Sequence, residues 1–145
     1  MKVKKLSKGL VIAIGLVAVL LGITAYAAVS EVIAFGTIDY SELFGGPADV
    51  TVRRLTIAPG ELLGWHYHPG VGAYTIVRRG TLTSEDGCGG ETIYTAGQAF
   101  LEPPYRVHRG KNQGVGEVET VQTFIVPSGT PISVSTERLC GHPHF

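Results

Sequence analysis

After residue 27 the chain is cut into short runs by turn signals at Gly45-Gly46-Pro47, Pro59-Gly60, Pro69-Gly70, Gly80, Ala96-Gly97 and Pro103-Pro104. Glycine supplies the positive φ angles of tight turns, and proline interrupts both helices and central strands. None of the runs between these breaks carries the 3.6-residue apolar repeat of an amphipathic helix. They read instead as strands over 32–38, 50–58, 62–68, 73–79, 81–84, 91–95, 98–102, 106–111, 117–126 and 131–136. Many short strands with turns a few residues long predict an all-β sandwich or barrel.

Composition agrees: 44% apolar residues with 20 glycines and 8 prolines suit strands and turns better than long helices. The 145 residues match one domain, placed at 31–145, with neither tandem repeats nor a low-complexity linker inside it. The zero net charge is misleading. Four of the 12 basic residues lie in the first eight positions, and the rest of the chain carries 8 basic against 12 acidic residues, or −4. This balance argues against a nucleic-acid binder, which would show a basic stripe. The pairs Arg53-Arg54 and Arg78-Arg79 read as solvated strand ends.

Residues 1–27 have the organisation of an export signal. Lys2, Lys4, Lys5 and Lys8 precede an uncharged apolar run from Leu10 to Ile23, and Ala25-Tyr26-Ala27 supplies the small-x-small pattern read by a signal peptidase. Cleavage is expected after Ala27; an uncleaved anchor is the alternative, and in that case alone would the protein contact a membrane. Both place the folded part outside the cytoplasm, as a secreted or cell-envelope protein. In an oxidising compartment the two cysteines, Cys88 in a glycine-rich loop and Cys140 near the end, suggest a disulfide. Free thiols, or Cys140 as a metal ligand, are the other readings.

The chemistry centres on His66-x-His68. On a strand, alternate side chains share a face, so the two imidazoles project to one side about 7 Å apart. Imidazole is the commonest protein metal ligand, but a ligand from another strand is needed to close a site. Trp65 and Tyr67 take the opposite face. Gly70-Val71-Gly72-Ala73 lacks the third glycine and the following helix of a dinucleotide fingerprint. His142-Pro143-His144 reads as an end of the chain with weak chelating capacity.

The stretch from Gly97 to Asn112 resembles the second conserved motif of cupins, G-x5-P-x-G-x2-H-x3-N. Gly97, Pro103, His108 and Asn112 fall on its fixed positions, and Tyr105 replaces its middle glycine. The first cupin motif, G-x5-H-x-H-x3–4-E-x6-G, is matched by Gly60, His66, His68 and Gly80. Its glutamate position is occupied by Ala73. The resemblance spans about residues 50–126 and implies a single-domain double-stranded β-helix, or jelly-roll barrel.

For the site, the resemblance implies one divalent metal ion (Fe, Mn, Zn, Ni or Cu) on His66, His68 and His108, without the usual carboxylate. Similar three-histidine cupins include dioxygenases that use ferrous iron, which implies an oxidoreductase acting on a small molecule; a non-catalytic binding module is the alternative. Tyr74, beside the vacant position, would reach the site only through a β-bulge. Glu102 is a candidate fourth ligand or base, though a carboxylate there also reads as a solvated strand end. Arg106 would share the face of His108 and could pair with an anionic substrate. Gln98 and Phe100 are candidate cavity residues. Small cupins often dimerise through edge strands, so a homodimer is implied as well.

Overall fold

The computed structural model describes residues 28–141. Residues 1–27, on which the expected export signal falls, and the His142–His144 tail lie outside the described residues. Ten strands run in chain order: β1 (Val29–Ser41), β2 (Gly46–Ile57), β3 (His66–Tyr67), β4 (Ala73–Arg79), β5 (Thr81–Asp86), β6 (Glu91–Thr95), β7 (Ala99–Glu102), β8 (His108–Lys111), β9 (Val118–Pro127) and β10 (Val134–Ser135). They form two antiparallel five-stranded sheets, ordered β1-β2-β9-β4-β7 and β10-β3-β8-β5-β6. The all-β expectation holds.

The differences lie in strand length. The histidine strand shrinks from the expected 62–68 to His66–Tyr67, with an isolated bridge between Leu62 and Lys111 upstream. β1 grows at both ends, because the Ser41–Gly46 turn lets it pair with β2 across ten register partners.

Strand β9 shows why the core sits where it does. Its residues alternate strictly between buried and half-buried, so Val118, Thr120, Gln122, Phe124 and Val126 form one buried face. At one end of the barrel Val118 joins Leu55, Ile57, Val77 and Leu82 in an apolar cluster. Halfway along, the same face turns polar at Thr120 and Gln122. Directly opposed residues in an antiparallel pair point to the same side, so register carries this polarity across the sheet. Arg53 opposes Gln122, and Gln122 opposes Thr75. In the next row Thr51 and Ala73 oppose Phe124, and Ala73 opposes Glu102. A band of polar side chains thus crosses the interior of a barrel plugged by hydrocarbon at one end.

Cys88 and Cys140 form a disulfide. It ties the final segment to the turn between β5 and β6, where Arg138 Nε donates to the Gly87 carbonyl. Tyr105, standing where the cupin motif has glycine, has a φ of 58°. The backbone keeps the glycine conformation although the side chain is tyrosine, at a cost of roughly 1–2 kcal/mol.

Candidate metal centre

The two halves of the histidine cluster meet by register: His66 opposes His108 across β3 and β8. His68, one residue beyond β3, is fully buried and packs its ring against Phe124, 5.0 Å between centroids. The three imidazoles converge, with ring centroids 4.9 Å (66–68), 4.6 Å (66–108) and 5.1 Å (68–108) apart.

Each ring is oriented from behind. Nδ1 of His66 lies 2.8 Å from the Gly64 carbonyl, Nδ1 of His68 2.7 Å from that of Ile132, and Nδ1 of His108 2.8 Å from that of Arg106. A carbonyl only accepts, so each Nδ1 carries a hydrogen and donates it. In the neutral tautomer so fixed, the Nε2 lone pair is left as the free donor for a metal, the arrangement that commonly backs metal-bound histidines.

Glu102 completes the cluster. Its Oε2 stands 2.8 Å from His68 Nε2 and 3.0 Å from His108 Nε2. Its Oε1 accepts hydrogen bonds from Thr75 Oγ1 at 2.9 Å and Gln122 Nε2 at 3.2 Å. The place vacated at Ala73 is thereby served from the neighbouring strand. Ala73 is fully buried with no ligating atom, and its register partner on β7 projects a carboxylate into the space. Three neutral imidazoles would leave a divalent ion its full charge; Glu102 offsets one unit of it.

The donor set fits a cation. Four ligand atoms, one each from His66, His68, Glu102 and His108, lie within 4.8 Å of one another. Ligands about 2.1 Å from a shared ion would stand roughly 3–4 Å apart, so modest contraction closes the set. Two lone-pair nitrogens aimed at one carboxylate oxygen repel unless positive charge lies between them, as protons or as a metal ion. Electrostatics follow the same logic. Burial, reinforced by His108 and His68, pushes His66 down to about 4. Burial opposes the charged form of Glu102 too, but the hydrogen bonds from His108 and His68 outweigh it and hold the carboxyl well below its usual range. For His108, burial is again overcome by Glu102, and its pKa is raised.

Several expectations are corrected here. Tyr74 is 53% exposed on the outer face of β4, because the register from Ala73 to Val77 runs without a bulge. Glu102 is not a solvated strand end but a buried member of the cluster. Arg53 is not a solvated strand end either: it faces inward, donating from Nε and Nη2 to Gln122 Oε1 at 3.0 and 2.6 Å. Arg106 is exposed and lines, with Phe100 and Pro103, a second depression that Glu102 and His108 also border, and its carbonyl accepts from His108 Nδ1. Gln98 caps its own turn at Thr95, and Phe100 stacks on Tyr94 with centroids 3.7 Å apart. Trp65 packs on the outside beneath the guanidinium of Arg109, at 4.3 Å. Asn112 is structural, donating to the carbonyls of Ile57 and Gly116.

The cluster opens into a cavity of about 230 Å³ between the sheets. Sequence reasoning missed Arg53, Thr75, Thr120 and Gln122. The available signal was polar residues at inward-facing positions of otherwise apolar strands.

The sequence profile of the cupin domain matches residues 53–126. The chain belongs to the cupin family. Solved structures agree on the fold of this cupin. An uncharacterised conserved protein with a double-stranded β-helix domain from Klebsiella pneumoniae is 21% identical with a TM-score of 0.57, covering 76% of this chain and 84% of that one. A cupin superfamily protein from Desulfitobacterium hafniense is 13% identical with a TM-score of 0.51, covering 69% and 78%. An oxalate oxidase in complex with the substrate analogue glycolate is 26% identical with a TM-score of 0.51, covering 59% and 45%. No curated protein sequence matches this cupin.

Proposed function

We propose that this cupin is an exported protein that holds one divalent metal ion on His66, His68, His108 and Glu102 and acts there on a small molecule as an oxygen-using oxidoreductase. One observation carries the metal reading: all three Nδ1 atoms are committed to backbone carbonyls, while Nε2 of His68 and His108 both face Glu102 Oε2. That pattern is repulsive for neutral rings and is relieved by positive charge between them, which a shared metal ion supplies without protonating either ring. Iron or manganese in the site would supply one-electron chemistry with dioxygen. The chain's own residues orient the ligands: Thr75 and Gln122 hold Glu102 Oε1, leaving Oε2 for the ion.

A second reading, a non-catalytic module that binds a ligand or the metal itself, draws on the cavity lining. Apart from the four proposed ligands, Arg53 is its one titratable side chain among the described residues, so the pocket offers no separate acid or base. Elemental analysis of natively purified protein is expected to show about one metal per chain. Oxygen consumption with candidate substrates then separates the two readings: flat traces from an iron-loaded protein favour the binding module.

Export is supported by the surroundings of Ala28. Its backbone nitrogen donates to Glu61 Oε1, and its side chain packs on the core cluster. Cleavage after Ala27 would convert that nitrogen into an α-ammonium facing a carboxylate. Mass spectrometry of the exported protein is expected to find Ala28 as the first residue. For the homodimer, β1 is the supporting feature. It is a 13-residue strand paired on one side only among the described residues, and it exposes Val29, Val32 and Phe35 by 57–64%. A second copy adding edge to edge would satisfy both its backbone and its apolar side chains.

A further inference from the structure

We propose that Arg53 and Thr120 form a carboxylate seat in the cavity, so that the molecule taken up is a small organic acid held by its anionic group beside the cluster. The inference uses the metal reading only for the charge of the cluster beside the seat.

Arg53 is an unusual residue for this place. It lies on the inner face of β2, and its guanidinium stacks over Phe124 at 4.9 Å from the ring centroid. Among the described residues it makes no ion pair with any carboxylate. Its two hydrogen bonds go to a single neutral oxygen, Gln122 Oε1. Guanidinium carries five N–H donors in a planar fork suited to a carboxylate, so most of that capacity is unused. Gln122 passes the orientation on by donating to Glu102 Oε1. Arg53 is thus positioned by the network that positions the cluster; Glu102 attracts it electrostatically without forming an ion pair with it.

Thr120 is the independent observation. Its side chain is 1% exposed and lines the same cavity, yet Oγ1 is the one buried side-chain polar atom among the described residues without a hydrogen-bond partner. A buried unpaired hydroxyl is destabilising, and a ligand oxygen would satisfy it. Thr120 and Gln122 alternate on one face of β9, so hydroxyl and guanidinium stand on adjacent rows of one sheet. Leu55, Ile57, Leu63 and Leu82 line the cavity as well, together with the hydroxyl-bearing Ser84, Ser133 and Ser135.

Charge and size narrow the ligand. A divalent ion offset by Glu102 leaves one positive charge, and Arg53 adds a second, which selects an anion. A cavity of about 230 Å³ lies below the roughly 300–1,000 Å³ of sites for drug-sized ligands. That leaves room for an acid of a few carbons.

The test titrates metal-loaded protein with oxalate, with glycolate and with phosphate as the inorganic control, using calorimetry. It is repeated on metal-free protein and on Arg53→Gln, Arg53→Lys and Thr120→Val. Arg53→Gln is expected to weaken carboxylate binding by ~10-fold or more, the range for a hydrogen bond to a charged group, with metal content unchanged. Arg53→Lys keeps the charge without the fork and should retain part of the affinity. Thr120→Val is expected to weaken binding while raising the thermal midpoint of the ligand-free protein, because it deletes an unpaired buried hydroxyl; a purely structural threonine would not separate the two readouts. It carries the test should the glutamine variant not fold. Equal affinities in wild type and Arg53→Gln, or phosphate bound as tightly as the carboxylates, overturn the proposal. So does a metal-loaded wild type that binds neither acid. Arg53-dependent binding by a protein that takes up no metal supports the seat and sinks the metal reading alone.

Discussion

Ala73 and Glu102 are register partners across β4 and β7: the residue that leaves a gap in the metal-binding motif sits directly opposite the residue that fills it. Both point into the barrel, and Glu102 Oε2 reaches His68 and His108 from the next strand over. The candidate cluster has a carboxylate although the motif has lost its own.

Exchange between those two positions is therefore testable. Glu102→Gln should weaken metal binding by at least the roughly 10–100-fold that loss of an outer-shell partner costs. Adding Ala73→Glu to Glu102→Ala should recover part of it, since the new carboxylate starts from the opposed Cα. Metal affinity by competition with a chromogenic chelator measures both. Unchanged affinity in Glu102→Gln would remove Glu102 from the ligand set.

Stability of the metal-free protein should respond to pH in two directions. His66, at about 4 in the fold against 6.5 for the free group, binds its proton less readily when folded. Its contribution is complete above about pH 6.5 and is lost as pH falls toward 4. His108, raised by Glu102, contributes fully below about 6.5 and loses that contribution as pH rises through its folded value. The thermal midpoint should accordingly peak near neutrality. Added zinc should reverse the alkaline arm, because the ion requires deprotonated imidazole and its affinity rises with pH. Thermal scans between about pH 5 and 8 with and without zinc check this; parallel profiles would contradict it.

Gly72 guards the backbone that carries Glu102. Its φ is +84°, and a Cβ there would lie 2.1 Å from the Glu102 carbonyl oxygen and 2.9 Å from the Pro104 nitrogen. Gly72→Ala combines about 1–2 kcal/mol of left-handed strain with displacement of the end of β7. It should lower both unfolding stability and metal affinity. Gly36→Ala, with nothing within 4 Å of its Cβ, is the neutral control. Denaturant melts and metal titration report the two effects; a Gly72→Ala protein with wild-type metal affinity would show that β7 accommodates the shift.

Dimerisation through β1 predicts that Phe35→Glu yields a monomer. Phe35 is 64% exposed on a strand whose outer edge has no partner among the described residues, and two copies related by a twofold axis would bring like charges together. Light scattering after size exclusion measures the mass. Identical masses for the wild type and the variant would exclude this edge as the interface.

Much of the fold was legible from neighbouring residues alone. Turn chemistry at Pro59-Gly60, Pro69-Gly70 and Pro103-Pro104 divided the chain and alternation put His66 and His68 on one face, while it was the resemblance of residues 97–112 to the second cupin motif that singled out His108. Alternation also turned Tyr74 away from the interior once Ala73 pointed inward. What local pattern does not carry is which strand lies beside which, and in what register. Arg53 and Gln122 are 69 residues apart, and His68 and Glu102 are 34 apart; nothing adjacent to any of them in the chain announces the partner. Pairing β2 with β9 and β4 with β7 is what placed a charge and a carboxylate inside the barrel: Arg53 reads as solvent-facing in the sequence, and for Glu102 the sequence leaves a ligand and a solvated strand end both open. A strand's own alternation decides only which side chains share a face, whereas the sheet stacked above it decides whether that face meets water, hydrocarbon or three imidazoles.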